Sequence, residues 1–481
     1  MSDKVVTRFA PSPTGFMHAG NLRTGLYAWL WARKNKGTFI LRIEDTDKKR
    51  EVEGSLDHIK ESLKWIGMDW DQGPDIGGPH APYVQSGRLD LYKSYGEKLI
   101  EKGFAYADPY AEEELEVWRK KSQEEKKPFL YREHRPENPP TWDGSMPLRF
   151  KVPKIKKYSW MDAVWGELSA GEEALDDFVL IKSDGYPTYN FAHLVDDIEM
   201  GITHVTRGQE FISSTPKYLS VYEALGVKPP VFVTTPSVMS SEGKKKLGKR
   251  DGSKDVLEYK KEGYLPEAMM NFLALLGWNP GGEKEIFSKE ELIEIFDLNK
   301  IQHSGAQFGD DKLDWINKEH IKRLNASEIE RNIMEWLPEE MQKNIIASKL
   351  VPLILERISK WGDEKDMTER GELDFFFKRP LLEKEKLVYK SVPLEKIVGN
   401  LKEAIKLLEK LNESEFNKEN IKDVLMKLAE EIGSRPASAG KGELLHPVRF
   451  ALSGLDQSPD PFIIAEILGK DETISRLQKA Q

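Results

Sequence analysis

"RFAPSPTGFMHAGNLRTGLYAWLWARKNKG", residues 8–37, decides how the rest of the chain is read. Residues 4–10 have the β-branched and aromatic content of a buried strand. Residues 19–35 then place Leu22, Leu26, Trp29 and Leu30 at helical spacing, with Gly37 closing the helix. "TFILRIEDTD", residues 38–47, reads as a second strand that ends in carboxylates. Strand, helix and strand within about 45 residues make a βαβ unit, which predicts parallel strands, a right-handed crossover and a ligand at the carboxyl ends of the strands. His18 and Gly20 fall on that edge. There the free N–H groups of a helix start attract an anion, and glycine lets the backbone come close. From these residues alone, a phosphate site and a plain connection shaped by Pro11, Pro13 and Gly15 stand level.

Composition narrows the field. At roughly 150 residues per domain, 481 residues should hold about three domains. Hydrophobic content of 39% and charged content of 32% suit a soluble globular protein, and no apolar run nears membrane-spanning length. The start, MSDKVVTRFA, lacks a signal-peptide pattern, and a cytoplasmic location is expected. The absence of cysteine excludes disulfides, thiol catalysis and cysteine-bound zinc, and fits a reducing compartment. None of the nine histidines lies in an HExxH-like metal spacing. A net charge of −9 argues against indiscriminate coating of nucleic acid but leaves room for a local basic surface.

One such surface is "SSEGKKKLGKRDG", residues 240–252, where Lys244, Lys245, Lys246, Lys249 and Arg250 crowd together. A run like this is usually a solvated face. Here Leu247 interrupts it and glycines bracket it, which suggests a loop able to close over a polyphosphate.

"RFAPSPTGFMHAGN" resembles the HIGH-type signature of class I aminoacyl-tRNA synthetases in its glutamyl form, and "KKLGKR" resembles the partner KMSKS-type loop. The likeness continues, in order, through "ILRIEDTD", "APYVQSGRLDLY", "KSDGYPTYNFAHLVDD", "GITHVTRGQE", "GYLPEAMMNFLALLGWNP", "KLDWIN", "HPVRFALSG", "SPDPF" and "ILGK". The chain is thus identified as a member of that family. The resemblance implies activation of glutamate by ATP, with Mg2+, to glutamyl-adenylate, followed by transfer to the 3′-terminal adenosine of tRNA(Glu). Neither step needs a covalent intermediate on the protein, so catalysis rests on positioning and on stabilising charge at the phosphates.

The same resemblance carries roles to single residues. His18, Lys246 and Lys249 match the catalytic groups. Arg8, Ala10, Ser12, Glu44, Tyr189, His193 and Arg207 match the glutamate pocket, with Glu44 expected on the α-ammonium. Arg8 and Arg207 are expected on the two carboxylates, in an order the sequence leaves open. His18, Gly20, Glu210, Val238, Lys246, Lys249 and Arg250 match the ATP site. Without the resemblance, Glu44 reads as a structural ion pair and Tyr189 as a core aromatic. Two departures stand out: Gly248 replaces the usual serine of the loop, and His193 stands where a small amide is more common. No protein-bound metal is expected. Some relatives carry zinc in the insertion, which this cysteine-free chain should not.

The implied architecture is a Rossmann-like α/β catalytic domain, residues 1–83 and 190–240, interrupted by an α/β acceptor-stem-binding insertion at 84–189. The catalytic loop and a helical connector follow at 241–325, then an all-α anticodon-binding region at 326–481, open to a further division near 390. Helical periodicity in "LEKIVGNLKEAIKLLEKL" and "NIKDVLMKLAEEIG" supports the last assignment. It also separates the chain from glutaminyl relatives, whose anticodon-binding part resembles β-barrels. In "ERGELDFFFKRP", residues 369–380, Asp374 occupies a position where members strict for tRNA(Glu) often carry an arginine reading the third anticodon base. Its loss implies charging of tRNA(Gln) as well, with a tRNA-dependent amidotransferase downstream. Against that, a carboxylate can itself accept a hydrogen bond from the cytosine amino group. A monomer with no membrane partner is expected. The competing class, a catalytically silent tRNA-binding paralogue, is disfavoured by the presence of His18, Glu44, Arg207, Lys246 and Lys249.

Overall fold

The computed structural model describes residues 4–240, 242–243, 245–247, 254–390, 392–432 and 438–481. The chain divides into two compact units, Met1–His320 and Ile321–Gln481.

The opening stretch forms β1 (Val6–Phe9), α1 (Ala19–Lys34) and β2 (Thr38–Leu41), with β1 and β2 parallel and Arg8 opposite Ile40. The helix stops one residue earlier than glycine chemistry suggests, because Lys36 takes the left-handed turn at φ 50°. Gly37 is needed for a different reason: a Cβ there would lie 2.2 Å from the Val5 carbonyl oxygen, which binds the Thr38 N–H.

The first unit continues through α2 (Ser55–Trp65), α3 (Leu89–Glu101), β3 (Ala105–Ala107), α4 (Glu112–Glu124), β4 (Leu148–Phe150), β5 (Tyr158–Asp162), β6 (Gly166–Ala170) and β7 (Val179–Ile181). It is completed by α5 (Tyr189–Glu199), β8 (His204–Gly208), α6 (Thr215–Leu225), β9 (Val231–Thr235), β10 (Val238–Met239), α7 (Val256–Lys261), α8 (Pro266–Leu275), α9 (Lys289–Ile295), β11 (Ala306–Gln307) and α10 (Asp310–Ile321).

Six strands make one sheet in the order β2-β1-β8-β9-β5-β6, parallel except for the antiparallel β5–β6 pair. From β1 the chain crosses to β2 on one side, while β8 flanks β1 on the other. That reversal is a switch point, where the loops diverge and open a crevice at the carboxyl ends. Helix α1 packs on β1 and β8 and also on α8 and α9, so it is buried nearly all round, Tyr27 and Ala28 included with the four residues of the apolar stripe.

Within 84–189, β3, β4 and β7 form a separate antiparallel sheet. It is tied by the Arg149–Asp108 and Arg135–Asp177 pairs, both at 2.7 Å, and flanked by the Trp118–His134 stack at 4.2 Å. The β5–β6 hairpin falls in the same stretch, yet it bonds to β9 and extends the main sheet: the Ala163 N–H donates to Phe232, and Asp162 accepts the Thr234 hydroxyl at 2.6 Å. The connector, expected to be all-α, contains one short strand among its described residues. β11 pairs with β10 because the Ala306 and Phe308 N–H groups reach the Ser237 and Met239 carbonyls that the main sheet leaves unpaired.

In the second unit every regular element among the described residues is helical: α11 (Ala326–Trp336), α12 (Glu339–Gln342), α13 (Ala347–Arg357), α14 (Gly362–Glu369), α15 (Asp374–Phe377), α16 (Leu394–Glu409), α17 (Lys418–Ile432), α18 (Ser438–Ser453), α19 (Pro461–Leu468) and α20 (Lys470–Lys479). Ile397, Leu401, Ala404 and Leu408 form the buried stripe of α16, the spacing of an amphipathic helix. No helix among the described residues is long and apolar enough to cross a membrane.

Candidate active site

The crevice between β1 and β8 holds a cavity of about 310 Å³. Arg8, Ala10 and Ser12 enter it from the end of β1, His18 and Gly20 from the start of α1, and Glu44 from beyond β2. Tyr189 comes from the first turn of α5, Arg207 and Glu210 from the end of β8, Val238 from β10, and Lys246 from the segment beyond it. A larger cavity, about 640 Å³, lies between α3, β3 and residues 135–142 and contains none of them.

One described residue expected in the crevice, His193, does not line it. His193 is buried behind Tyr189, its ring 4.9 Å from the phenol ring and edge-on to Tyr218 at 4.6 Å. Lys249 and Arg250, with Gly248, lie outside the described residues. Asp374 is exposed on α15 in the second unit, at a cavity of about 400 Å³ shared with Met341, Asn344, Thr368 and Phe377.

One buried charge network organises the sheet side of the crevice. Asp197, on α5, accepts from Arg8 Nε at 3.0 Å and Arg42 Nη1 at 2.8 Å. Arg42 Nη2 binds Glu44 at 2.9 Å. Asp196 binds Arg88 Nε at 2.7 Å and accepts from Tyr92 and Gln85. Burial alone would raise the Asp197 carboxyl, but Arg8 and Arg42 hold it well below the usual carboxylate range. For Glu44 burial wins, and its pKa is raised despite Arg42 and Arg8. Burial also pushes the Tyr189 phenol up, with Glu44 adding to it, so the hydroxyl remains a donor.

Arg207 is different. Its guanidinium donates to Thr215 Oγ1 at 2.7 Å and sits against the faces of Phe232 at 4.7 Å and Tyr218 at 4.9 Å, with no carboxylate pair among the described residues. Burial lowers its pKa, which expresses the cost of an uncompensated charge. On the sheet side of the crevice four arginines (8, 42, 88 and 207) therefore face three carboxylates (44, 196 and 197), one positive charge in excess; Arg23, also buried in the crevice and bound only to carbonyls, lies outside that network. His193 does not change the balance: burial pushes its pKa down to about 4, and its Nδ1 is 3.8 Å from Asp197, too long for a hydrogen bond.

The opposite side suits phosphate. His18 is the residue before α1, whose first turn carries no acidic side chain, so its free N–H groups face an anion unopposed. Gly20 makes room for the imidazole: a Cβ there would stand 3.3 Å from His18 Cε1 and Nδ1. Lys246 pairs with Glu210 at 3.0 Å, both half exposed, a contact weak enough to yield to a stronger anion. Arg23 secures the floor, donating to the carbonyls of Leu276 at 2.9 Å and of Pro236.

Sequence reasoning missed Asp197, Arg42 and Arg23. Two of them left a signal: Asp197 follows Tyr189 and His193 at four-residue steps along one helix face, and Arg42 and Glu44 share one side of an extended segment.

Known proteins resemble the chain over almost its whole length. Residues 4–315 match the family model described as tRNA synthetases class I (E and Q), catalytic domain, and residues 318–481 match that of an anticodon binding domain. A glutamate–tRNA ligase of Clostridium botulinum strain Hall is 43% identical over 488 residues, covering 99% of this chain and 98% of its own. One of Clostridium kluyveri is 42% identical, covering 99% and 97%. The crystal structure of a glutamate tRNA ligase from Elizabethkingia meningosepticum, in complex with its amino acid, matches with a TM-score of 0.85, 36% identity and 99% of both chains.

Proposed function

The chain belongs to the class I tRNA synthetases of the glutamate and glutamine type, and from that premise we propose how its crevice works. The protein joins glutamate to tRNA, using ATP as co-substrate. In the first step a carboxylate oxygen of glutamate forms a bond to the α-phosphorus of ATP as the bond to the β-phosphate oxygen breaks, releasing pyrophosphate. In the second, the 2′-hydroxyl of the terminal adenosine attacks the adenylate carbonyl; AMP leaves, and the hydroxyl proton passes to a phosphate oxygen or water.

The observation that carries this reading is the unmatched cation at Arg207. Glutamate brings two carboxylates and one ammonium, so its net negative charge closes the balance of four arginines against three carboxylates. Glutamine brings no net charge and leaves a buried cation unpaired, which is costly. Arg207 takes one carboxylate, and Arg8, already divided between Asp197 and the Thr206 carbonyl, assists the other. Glu44 receives the ammonium and Tyr189 donates from its phenol. Ala10 and Ser12 supply the wall after β1.

On the other side His18, the α1 N-terminus, Lys246 and, from the sequence, Lys249 and Arg250 stabilise charge on the transferring phosphate and on pyrophosphate. Gly20, Glu210 and Val238 border the nucleotide. The described residues hold no cluster of three metal-binding side chains, so Mg2+ would arrive as the MgATP substrate, held by phosphate oxygens and water. The part of 84–189 built on the β3-β4-β7 sheet is assigned to the acceptor stem, and the second unit to the anticodon, with Asp374 at the third base and tRNA(Gln) as a second substrate delivered onward to an amidotransferase.

ATP–pyrophosphate exchange, measured with and without tRNA, tests the reading. Exchange that requires glutamate, is supported by tRNA and is negligible with glutamine is expected. Equal exchange with glutamine would overturn the pocket assignment, and none with glutamate would overturn the activity.

A further inference from the structure

We propose that His58, on α2 and outside both signature stretches, is a positioning residue for the ATP-dependent half-reaction, holding the Met17–His18 turn and the residue that starts α7 to one imidazole. The proposal rests on the reading of the crevice as an ATP site. The Met17 N–H lies 3.3 Å from His58 Nδ1 and can only donate, so Nδ1 carries the lone pair. The proton is then on Nε2, which donates to Asp255 Oδ1 at 2.6 Å. The same oxygen accepts the Leu257 N–H at 2.9 Å, so Asp255 caps α7 while gripping His58. The backbones meet alongside: the Val256 N–H donates to the Met17 carbonyl at 3.0 Å, and His18 and Asp255 form an antiparallel bridge.

Other contacts hold the imidazole to this task. Phe16 stacks on it at 4.7 Å, and Ser55 Oγ, one turn earlier on α2, donates to the Gly15 carbonyl at 2.8 Å. The His58 side chain is 10% exposed and that of Asp255 22%, so the pair is sheltered from the screening that makes surface pairs weak. Asp255 also lies six positions beyond Lys249 of the basic stretch. The entering end is held separately, by the Leu247 N–H on the Val238 carbonyl at 2.7 Å. One ring thus sets the Met17–His18 stretch, which leads into α1, against the start of α7, and it makes no hydrogen bond to Arg8, Glu44, Tyr189 or Arg207.

The full-length protein with His58→Asn, His58→Gln, Asp255→Asn and the His58→Asn/Asp255→Asn pair tests this by tRNA-supported ATP–pyrophosphate exchange. His58→Asn keeps an acceptor near Nδ1 but cannot reach Asp255, and kcat/KM for ATP is expected to fall about 10- to 100-fold, the scale of a sub-ångström to ångström misplacement. His58→Gln regains a donor to Asp255 and should recover most of that loss. The double variant should be no worse than His58→Asn alone. Throughout, the glutamate KM and tRNA affinity should stay within about twofold of wild type. Unchanged ATP kinetics in His58→Asn would overturn the proposal. So would a parallel loss in the ATP and glutamate parameters together with a lowered Tm, which marks a merely structural role. If the wild type itself shows no glutamate-dependent exchange, it is the reading of the crevice that fails.

Discussion

Arg8 grips Asp197 through two bonds, Nε to Oδ1 at 3.0 Å and Nη2 to Oδ2 at 3.4 Å, whereas the neighbouring Arg207 grips no carboxylate. The two arginines should therefore fail differently. Arg8→Ala leaves Asp197 buried with Arg42 as its remaining partner and is expected to cost about 3 kcal/mol of stability, the lower end for a broken buried pair. Arg207→Gln breaks no ion pair and removes an uncompensated charge. Its Tm should hold or rise while kcat/KM for glutamate falls by roughly 10²-fold or more. Thermal melts beside steady-state kinetics check this, and a matching drop in Tm for both variants would refute the distinction.

Gly20→Ala should separate stability from activity in the opposite sense. The added methyl meets the His18 ring at 3.3 Å and must shift it by a few tenths of an ångström. Alanine suits a helix better than glycine, so Tm should be unchanged or slightly raised. Exchange should nonetheless drop about tenfold, through kcat. Wild-type kcat would show that the imidazole position is unimportant.

His193 makes the catalytic unit acid-sensitive. Its pKa falls from an ordinary 6.5 in the unfolded chain to about 4 in the fold, so below pH 6.5 the unfolded chain takes up the proton first. The native state loses stability from pH 6.5 down to about 4, by roughly 3 kcal/mol in all. His193→Asn removes that slope. Melts at pH 4.5–7.5 should show a shallower decline in the variant, and parallel profiles would assign the acid sensitivity elsewhere.

In the second unit the sensitivity is to base. Glu364, on α14, is fully buried with neither carboxylate oxygen hydrogen-bonded, and burial pushes its pKa from 4.5 up to about 8. Its contribution is fully present below pH 4.5 and is lost as the pH rises to about 8, roughly 5 kcal/mol over the whole range. Glu364→Gln, neutral throughout, should melt higher than wild type at pH 8, with the advantage shrinking toward pH 5. An equal Tm difference at both pH values would rule out the carboxyl as its source.

Asp374 tests the range of tRNA. With a carboxylate rather than a guanidinium at the Met341–Phe377 cavity, the wild type is expected to charge purified tRNA(Gln) at a rate comparable with tRNA(Glu), and Asp374→Arg to favour tRNA(Glu) by about tenfold. A strong wild-type preference for tRNA(Glu) would instead assign cytosine reading to the carboxylate.

The βαβ start was legible because strand and helix periods are local properties, and Leu22, Leu26, Trp29 and Leu30 announce the buried face of α1 within a dozen residues. Partners are not local. Asp197 shares a helix face with Tyr189 and His193, a pattern that passed unread, and nothing in that helix says that Arg8 and Arg42 converge on it from β1 and beyond β2. His58 carried no mark at all, since its meaning comes from Met17 and Asp255, 41 and 197 positions away. Glu364 stands in "WGDEKDM", which reads as a solvated run; only tertiary packing turns one of its charges inward. Gly37 looked like a helix stop and is instead a clearance for the Val5 carbonyl.

The placement of β1 between β2 and β8 also governs how the protein is made. Strand β2 leaves the ribosome soon after β1, but β8 is separated from β1 by about 200 residues, which at about 5–20 residues per second is roughly 10–40 s of synthesis. During that interval the nascent sheet presents β1 as an open edge, the kind of backbone that recruits stray strands. The residues emerging in the meantime include the three-stranded sheet of β3, β4 and β7, whose ladder closes on itself without β1. Co-translational folding is thus ordered, the intervening sheet first and the central one only when β8 arrives, and slowing elongation ahead of β8 should lengthen the aggregation-prone window.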